Sequence, residues 1–174
     1  MDAWKKLRSL FDTDDGSLPE IRLAGLSRDG VARVFDLIRS RATLDSDAVF
    51  WHRALDREEL LGAHRDPAGM VASGEAEPFH FVASGISAGG TILPDLGVFV
   101  FSDEVALDYR MGPEWGEAEL GALFELLRIL TAAAPEARVE LDDHGLPEVE
   151  RLFLDEWAAY CRAATHSSPD NDPR

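Results

Sequence analysis

Apolar and polar positions are patterned most clearly between Leu96 and Arg110, and that stretch sets the expected architecture. Val98-Phe99-Val100-Phe101 is β-branched and aromatic, the composition of a strand buried on both faces. Ser102-Asp103-Glu104 is short and polar and reads as a turn. Beyond it Val105, Leu107 and Tyr109 point one way, and Ala106, Asp108 and Arg110 the other. The second strand is therefore expected to have one apolar and one polar face. Gly112 and Pro113 stop the ladder, because proline lacks the donor that a ladder needs. Pro113 also suits the first turn of a helix. Leu120, Leu123, Phe124, Leu127 and Leu130 follow at helical spacing. Glu114, Glu117 and Glu119 crowd the end of that helix where its dipole favours negative charge.

The flanking patterns complete the picture. Asp2 to Phe11 reads as a short amphipathic helix, with Trp4, Leu7 and Phe11 on one side, docking onto the body. Glu20 to Leu23 is a strand, and Ser27 caps a helix whose stripe is Val31, Val34, Phe35 and Ile38. Ala48 to His52 is a further strand, so strand, helix and strand read as a crossover unit. Asp56 is expected to cap a short helix through Glu58, Glu59, Leu60 and Leu61. From Gly62 to Pro78 the pattern is irregular and reads as a long loop, mobile or functional. Phe79 to Ala83 is a strand, and the glycine-rich Ser84 to Gly90 reads as a wide hairpin turn. Arg138 to Leu141 is another strand, with Asp142-Asp143-His144-Gly145 as its exit turn. Pro147 opens the last helix, lined by Val149, Leu152, Phe153, Trp157, Tyr160 and Ala164. Thr165 to Arg174 is polar, holds two prolines and reads as a disordered tail. The expected fold is α+β: an antiparallel or mixed sheet of five to six strands, with a central hairpin from Leu96 to Arg110, flanked by amphipathic helices. One globular domain spans 1–164, with 1–11 as its N-terminal docking helix.

Charge sharpens the functional reading. The 174 residues carry 33 acids against 17 bases, a formal net charge of −16. Lys5, Lys6 and Arg8 face only Asp2 in the first eleven residues, so the rest of the chain is more acidic still. Such a body repels nucleic-acid phosphates and anionic membranes and favours a basic protein partner. No apolar run is long enough to cross a bilayer, and the N-terminus lacks the continuous apolar core of a signal peptide. A cytoplasmic location is therefore expected. The single cysteine, Cys161, excludes an internal disulfide framework and a multi-cysteine zinc site, and its place one turn past Trp157 reads as a buried, inert thiol.

Candidate chemistry is sparse. Asp12 to Ser17 opens like a calcium loop, but the closing glutamate is missing and Pro19 interrupts. The five histidines show neither helical metal spacing nor HExxH. Gly85-Ile86-Ser87-Ala88-Gly89 matches GxSxG, and Asp142 or Asp143 and then His144 follow in hydrolase order. No helix follows the serine, however, as a nucleophile elbow requires. No catalytic, cofactor-binding or metal-binding residue is assigned. The candidate interaction surface is Asp108, Arg110, Trp115, Glu117, Asp142 and Asp143, with Asp108 and Arg110 expected within salt-bridging reach of each other or of a neighbouring strand on the less apolar face of the sheet, and Trp115 read as core, or as an aromatic anchor if exposed. Size, acidity and the lack of a catalytic signature resemble small bacterial immunity or inhibitor proteins, a resemblance of type that carries no residue over. A non-catalytic protein-binding module is thus the leading expectation. A ligand-binding protein or enzyme using Asp108, Arg110 and a histidine such as His80 is the second. An oligomerising structural subunit is the third.

Overall fold

The computed structural model describes residues 3–142 and 146–166. In chain order the elements are α1 (Ala3–Leu7), β1 (Glu20–Ala24), α2 (Arg28–Arg39), β2 (Thr43–Leu44), β3 (Val49–His52), β4 (Arg57–Leu60) and α3 (Pro67–Ser73). These are followed by β5 (Phe79–Ser84), β6 (Ser87–Ala88), β7 (Thr91–Ile92), β8 (Leu96–Val100), β9 (Glu104–Tyr109), α4 (Glu117–Ala133), β10 (Arg138–Asp142) and α5 (Pro147–His166).

Six strands form one antiparallel sheet in the order β10-β1-β9-β8-β5-β2, with the β8–β9 hairpin at its centre. The fold is α+β, as the patterning implies. Val98, Val100, Val105, Leu107 and Tyr109 are buried, and so are Ile21, Leu23, Phe79 and Phe81 on the flanking strands. Strand alternation puts these side chains on one face, and the helices cover it. Phe35 of α2 meets Phe79 and Phe81 edge-on. The α2 stripe of Val31, Val34, Phe35 and Ile38 is fully buried, and Ser27 caps the helix by accepting from the Gly30 N–H at 3.1 Å. Helix α4 buries Ala122 and Leu126 as well as its expected stripe, because β6, β7, α1 and α5 pack around it. Phe153 of α5 closes on Phe124. In the N-terminal segment Leu7 and Phe11 are fully buried, and Phe11 stacks on Tyr109 at 4.9 Å.

Four local expectations are corrected. Residues 57–60 form a strand, β4, paired with β3 in a two-stranded hairpin outside the main sheet. Asp56, with φ of +50°, turns that hairpin instead of capping a helix. Helix propensity at Glu58–Leu61 yields to the anchoring of Phe50 and Leu61 in the core. The stretch from Gly62 to Pro78 contains α3: Asp66 accepts from the Gly69 N–H at 2.8 Å, Pro67 starts the helix and Gly74 ends it at φ +81°. The segment 84–92 is a tight hairpin, with Gly89 and Gly90 both at positive φ between β6 and β7. Finally, the expected crossover unit does not form: the strand at Ala48–His52 is β3, which pairs only with β4, while β1 lies in the six-stranded sheet between β10 and β9. Helix α5 continues through Thr165 to His166, and the remainder of the expected tail lies outside the described residues.

Two substitutions test this account in urea unfolding. Leu107→Ala, at a fully buried position of the central strand, is expected to cost about 2–5 kcal/mol. Asp66→Ala removes only the α3 cap and is expected to cost about 1 kcal/mol. Equal effects would contradict the assigned burial.

Candidate functional site

The side of the sheet turned away from the helices carries most of the molecule's unusual chemistry. Strand register puts Asp142, Glu20, Asp108, Gly97 and Val82 in one row across β10, β1, β9, β8 and β5. The next row is Glu140, Arg22, Ala106, Phe99 and His80. Three carboxylates, Asp142, Glu20 and Asp108, therefore stand directly across from one another on adjacent strands, an arrangement that opposes folding. Burial raises the pKa of Glu20, and the charges of Asp108 and Asp142 on either side raise it further. Arg22 offsets part of this field but is committed to Glu104, donating to both carboxylate oxygens at 2.9 and 2.6 Å.

At the centre of the face, His80 Nε2 donates to Asp108 Oδ2 at 3.0 Å. The two residues belong to β5 and β9, with β8 between them, and the contact spans β8 only because Gly97 lies beneath it. A Cβ at Gly97 would overlap both oxygens of Asp108. The Asp108 side chain is 12% exposed and that of His80 37%. Phe99 packs 4.2 Å from the His80 ring and stacks on Phe101 at 5.8 Å, and both phenylalanines are only half-buried.

Of the residues singled out from sequence, Asp108, Asp142 and His80 share the open face of the sheet, and the others are dispersed by the fold. Arg110 does not pair with Asp108. It lies just past the end of β9, exposed, and donates to Asp14 Oδ2 at 2.9 Å. That bond holds the Asp14 carboxyl below its usual pKa. Trp115 is buried, donates from Nε1 to the Arg110 carbonyl and packs on Phe11 and Tyr109, so it is a core residue and no surface anchor. Glu117 is exposed in the first turn of α4, and Asp142 ends β10 on the open face. Asp143 and His144 lie outside the described residues. Ser87 is exposed on the β6–β7 hairpin, and among the described residues no hydrogen bond joins it to a histidine. Some acids of α4, of α5 and of the turn after α4 are paired: Glu125 with Arg128, Glu136 with Arg33 and Glu156 with Lys6. The sheet face is where carboxylates stand directly across from one another. Glu20, Gly97, Phe99 and Glu104 are its members that sequence reasoning missed. The signal was the alternation of Glu20 and Arg22 with Ile21 and Leu23, which marks a polar face on β1.

Two measurements probe the site. A carboxylate whose folded pKa is raised favours folding at low pH, and that contribution is lost as pH rises toward the folded pKa. Glu20→Gln is therefore expected to melt above the native protein at about pH 7 and together with it at about pH 3, where Glu20 is protonated in both states. Gly97→Ala is expected to push Asp108 off the sheet, shift the His80 ring resonances and cost about 1–3 kcal/mol. Unshifted His80 resonances in that variant would contradict the contact.

No helix among the described residues is long and apolar enough to cross a membrane. No protein-family model, curated protein or solved structure matches the chain, so the reading of this face rests on its own geometry.

Proposed function

We propose that the protein is a non-catalytic protein-binding module, inhibitor- or immunity-like in kind, whose open sheet face takes a basic protein partner. One observation carries this reading. Asp142, Glu20 and Asp108 lie abreast on the face that the helices leave uncovered. Like charges placed so are a burden to the isolated fold and an asset against a cationic surface. The field they make speeds encounter with a positive partner and rejects polyanions.

The ligand-site reading is weaker. It needs Asp108, Arg110 and His80 together, and Arg110 instead lines a separate cavity with Pro94, Asp95 and Glu114. The surviving His80–Asp108 pair lies on a broad sheet surface.

The test is a binding screen against basic proteins of the same genome, by biolayer interferometry at low and high salt. Affinity for the true partner is expected to fall steeply as salt rises, and by about tenfold or more on Glu20→Lys or Asp142→Lys. Glu117→Lys, placed on α4, is expected to matter much less. Affinity unmoved by salt and by both sheet-face reversals would sink the proposal, as would tight binding to DNA.

A further inference from the structure

The sheet face does not end at β5. The β3–β4 hairpin packs beside it, and the hairpin's outward side carries three apolar side chains, with Glu58 across from Trp51. Val49 and Trp51 alternate with the buried Phe50, and Leu60 stands directly across from Val49, so the three share one face. Of the large hydrophobic side chains exposed among the described residues, four gather here: Trp51 at 39%, Leu55 and Leu60 at 50%, and Val82 at 36%. A two-stranded hairpin gains nothing for its own folding by presenting Trp and Leu to water. The hairpin is firmly seated. Phe50 and Leu61 are buried, and backbone bonds run from Arg53 N to the Glu75 carbonyl and from Glu77 N to the Trp51 carbonyl, both at 3.0 Å.

Between hairpin and sheet lies a groove of about 310 Å³, lined by Asp45, Asp47, Ala48, Val49, His80, Phe81 and Val82. Its lining is mixed: Ala48, Val49 and Val82 are apolar, Asp45 and Asp47 form an acidic rim, and His80 links it to the carboxylate row. The neighbouring arginines are already engaged: Arg53 lies 4.0 Å from Glu77, Arg57 pairs with Glu59 and Arg39 donates to the His64 carbonyl. Asp45, Asp47 and Glu58 form no ion pair among the described residues. The groove thus offers burial to an apolar side chain and uncompensated negative charge to whatever flanks it.

We infer that this groove is the apolar anchor of the interface and takes a bulky apolar side chain of the basic partner, flanked on its own chain by Arg or Lys. The inference rests on the reading of the sheet face as a binding surface and names the chemistry of the segment that seats there. Aromatic and large aliphatic anchors in a partly preformed groove, ringed by polar contacts, are where interfaces concentrate their binding free energy. The acidic rim selects a cationic segment over an anionic membrane.

The experiment uses short synthetic peptides that carry the same arginines on either side of a central Trp, Leu or Gly. They are titrated calorimetrically into the native chain, a Val49→Ser/Val82→Ser double variant, both positions lining the groove, and Glu20→Lys. Neither position belongs to the buried core, so the double variant is expected to fold, which circular dichroism checks. The Trp and Leu peptides are expected to bind about tenfold or more tightly than the Gly peptide. That advantage is expected to vanish in the double variant, while Glu20→Lys weakens all three. Equal affinity for the three peptides, or an apolar advantage that survives the double variant, overturns the groove while leaving the face intact, provided Glu20→Lys still weakens binding. Indifference to Glu20→Lys overturns the face, and with it the groove. Sedimentation of the chain alone supplies the remaining arm: a dimer that the double variant dissolves would make a second copy the occupant and overturn the inference.

Discussion

Pairing of β8 with β9 sets Val98 against Leu107 and, one residue earlier on β8, Gly97 against Asp108. Every other feature follows from that register. A slip of one residue would send Leu107 to the open face and bring Asp108 under the helices, an exchange the buried core forbids. The fully buried Val98, Val105 and Leu107 thus act twice. They hold the helix layer, and by fixing the register they align Asp108 with Glu20 on one side and with the Gly97 gap on the other. The helix-facing side supplies the stability, and the other side is free to carry groups that do not help folding.

That division explains why the open face tolerates what it holds. Adjacent carboxylates repel, a histidine and an aspartate meet only because a glycine leaves the space above it clear, and two phenylalanines remain half-exposed. Each departs from what a sheet surface would choose for stability alone. Local compensation is visible and partial: Arg22 holds Glu104, and His80 holds one oxygen of Asp108. Glu20, between Asp108 and Asp142, has no such counter-charge directly across from it on either neighbouring strand, and its pKa is raised first by burial and then by those two charges.

Much of this architecture was legible in the sequence. Period-two alternation over residues 96–110 and period-3.6 stripes on α2 and α4 are strong signals, because each is repeated several times within one element. Helix α3 was legible too, through Asp66-Pro67 at its start and Gly74 at its end, but its short apolar pattern was overshadowed by the surrounding glycines and prolines. The hairpin at β4 was not legible, since Glu58, Glu59, Leu60 and Leu61 read locally as helix and only the distant seat of Phe50 and Leu61 makes them a strand. The site was least legible of all. Asp108 was marked by its strand position, yet its actual partner is 28 residues away across an intervening strand, and the row it belongs to joins Glu20 to Asp142. Sequence pattern gives the face on which a residue points, and only register says what it points beside.

The same register ties stability to binding under the proposed function. Repulsion along the carboxylate row is free energy that the isolated fold forgoes, and a cation seated over Glu20 would return it on association. By linkage, a ligand that binds only the folded chain raises its stability, and one that also favours ionised Glu20 lowers that residue's pKa toward the ordinary carboxylate value. Partner binding would therefore take up less of its strength in acid, where Glu20 is protonated and the repulsion is already gone. A purely apolar attachment at the Trp51–Leu60 hairpin face would show no such loss. The two halves of the surface thus contribute by different physics: the acidic half sets the sign of the partner and the rate of encounter, and the apolar half sets how long the complex lasts.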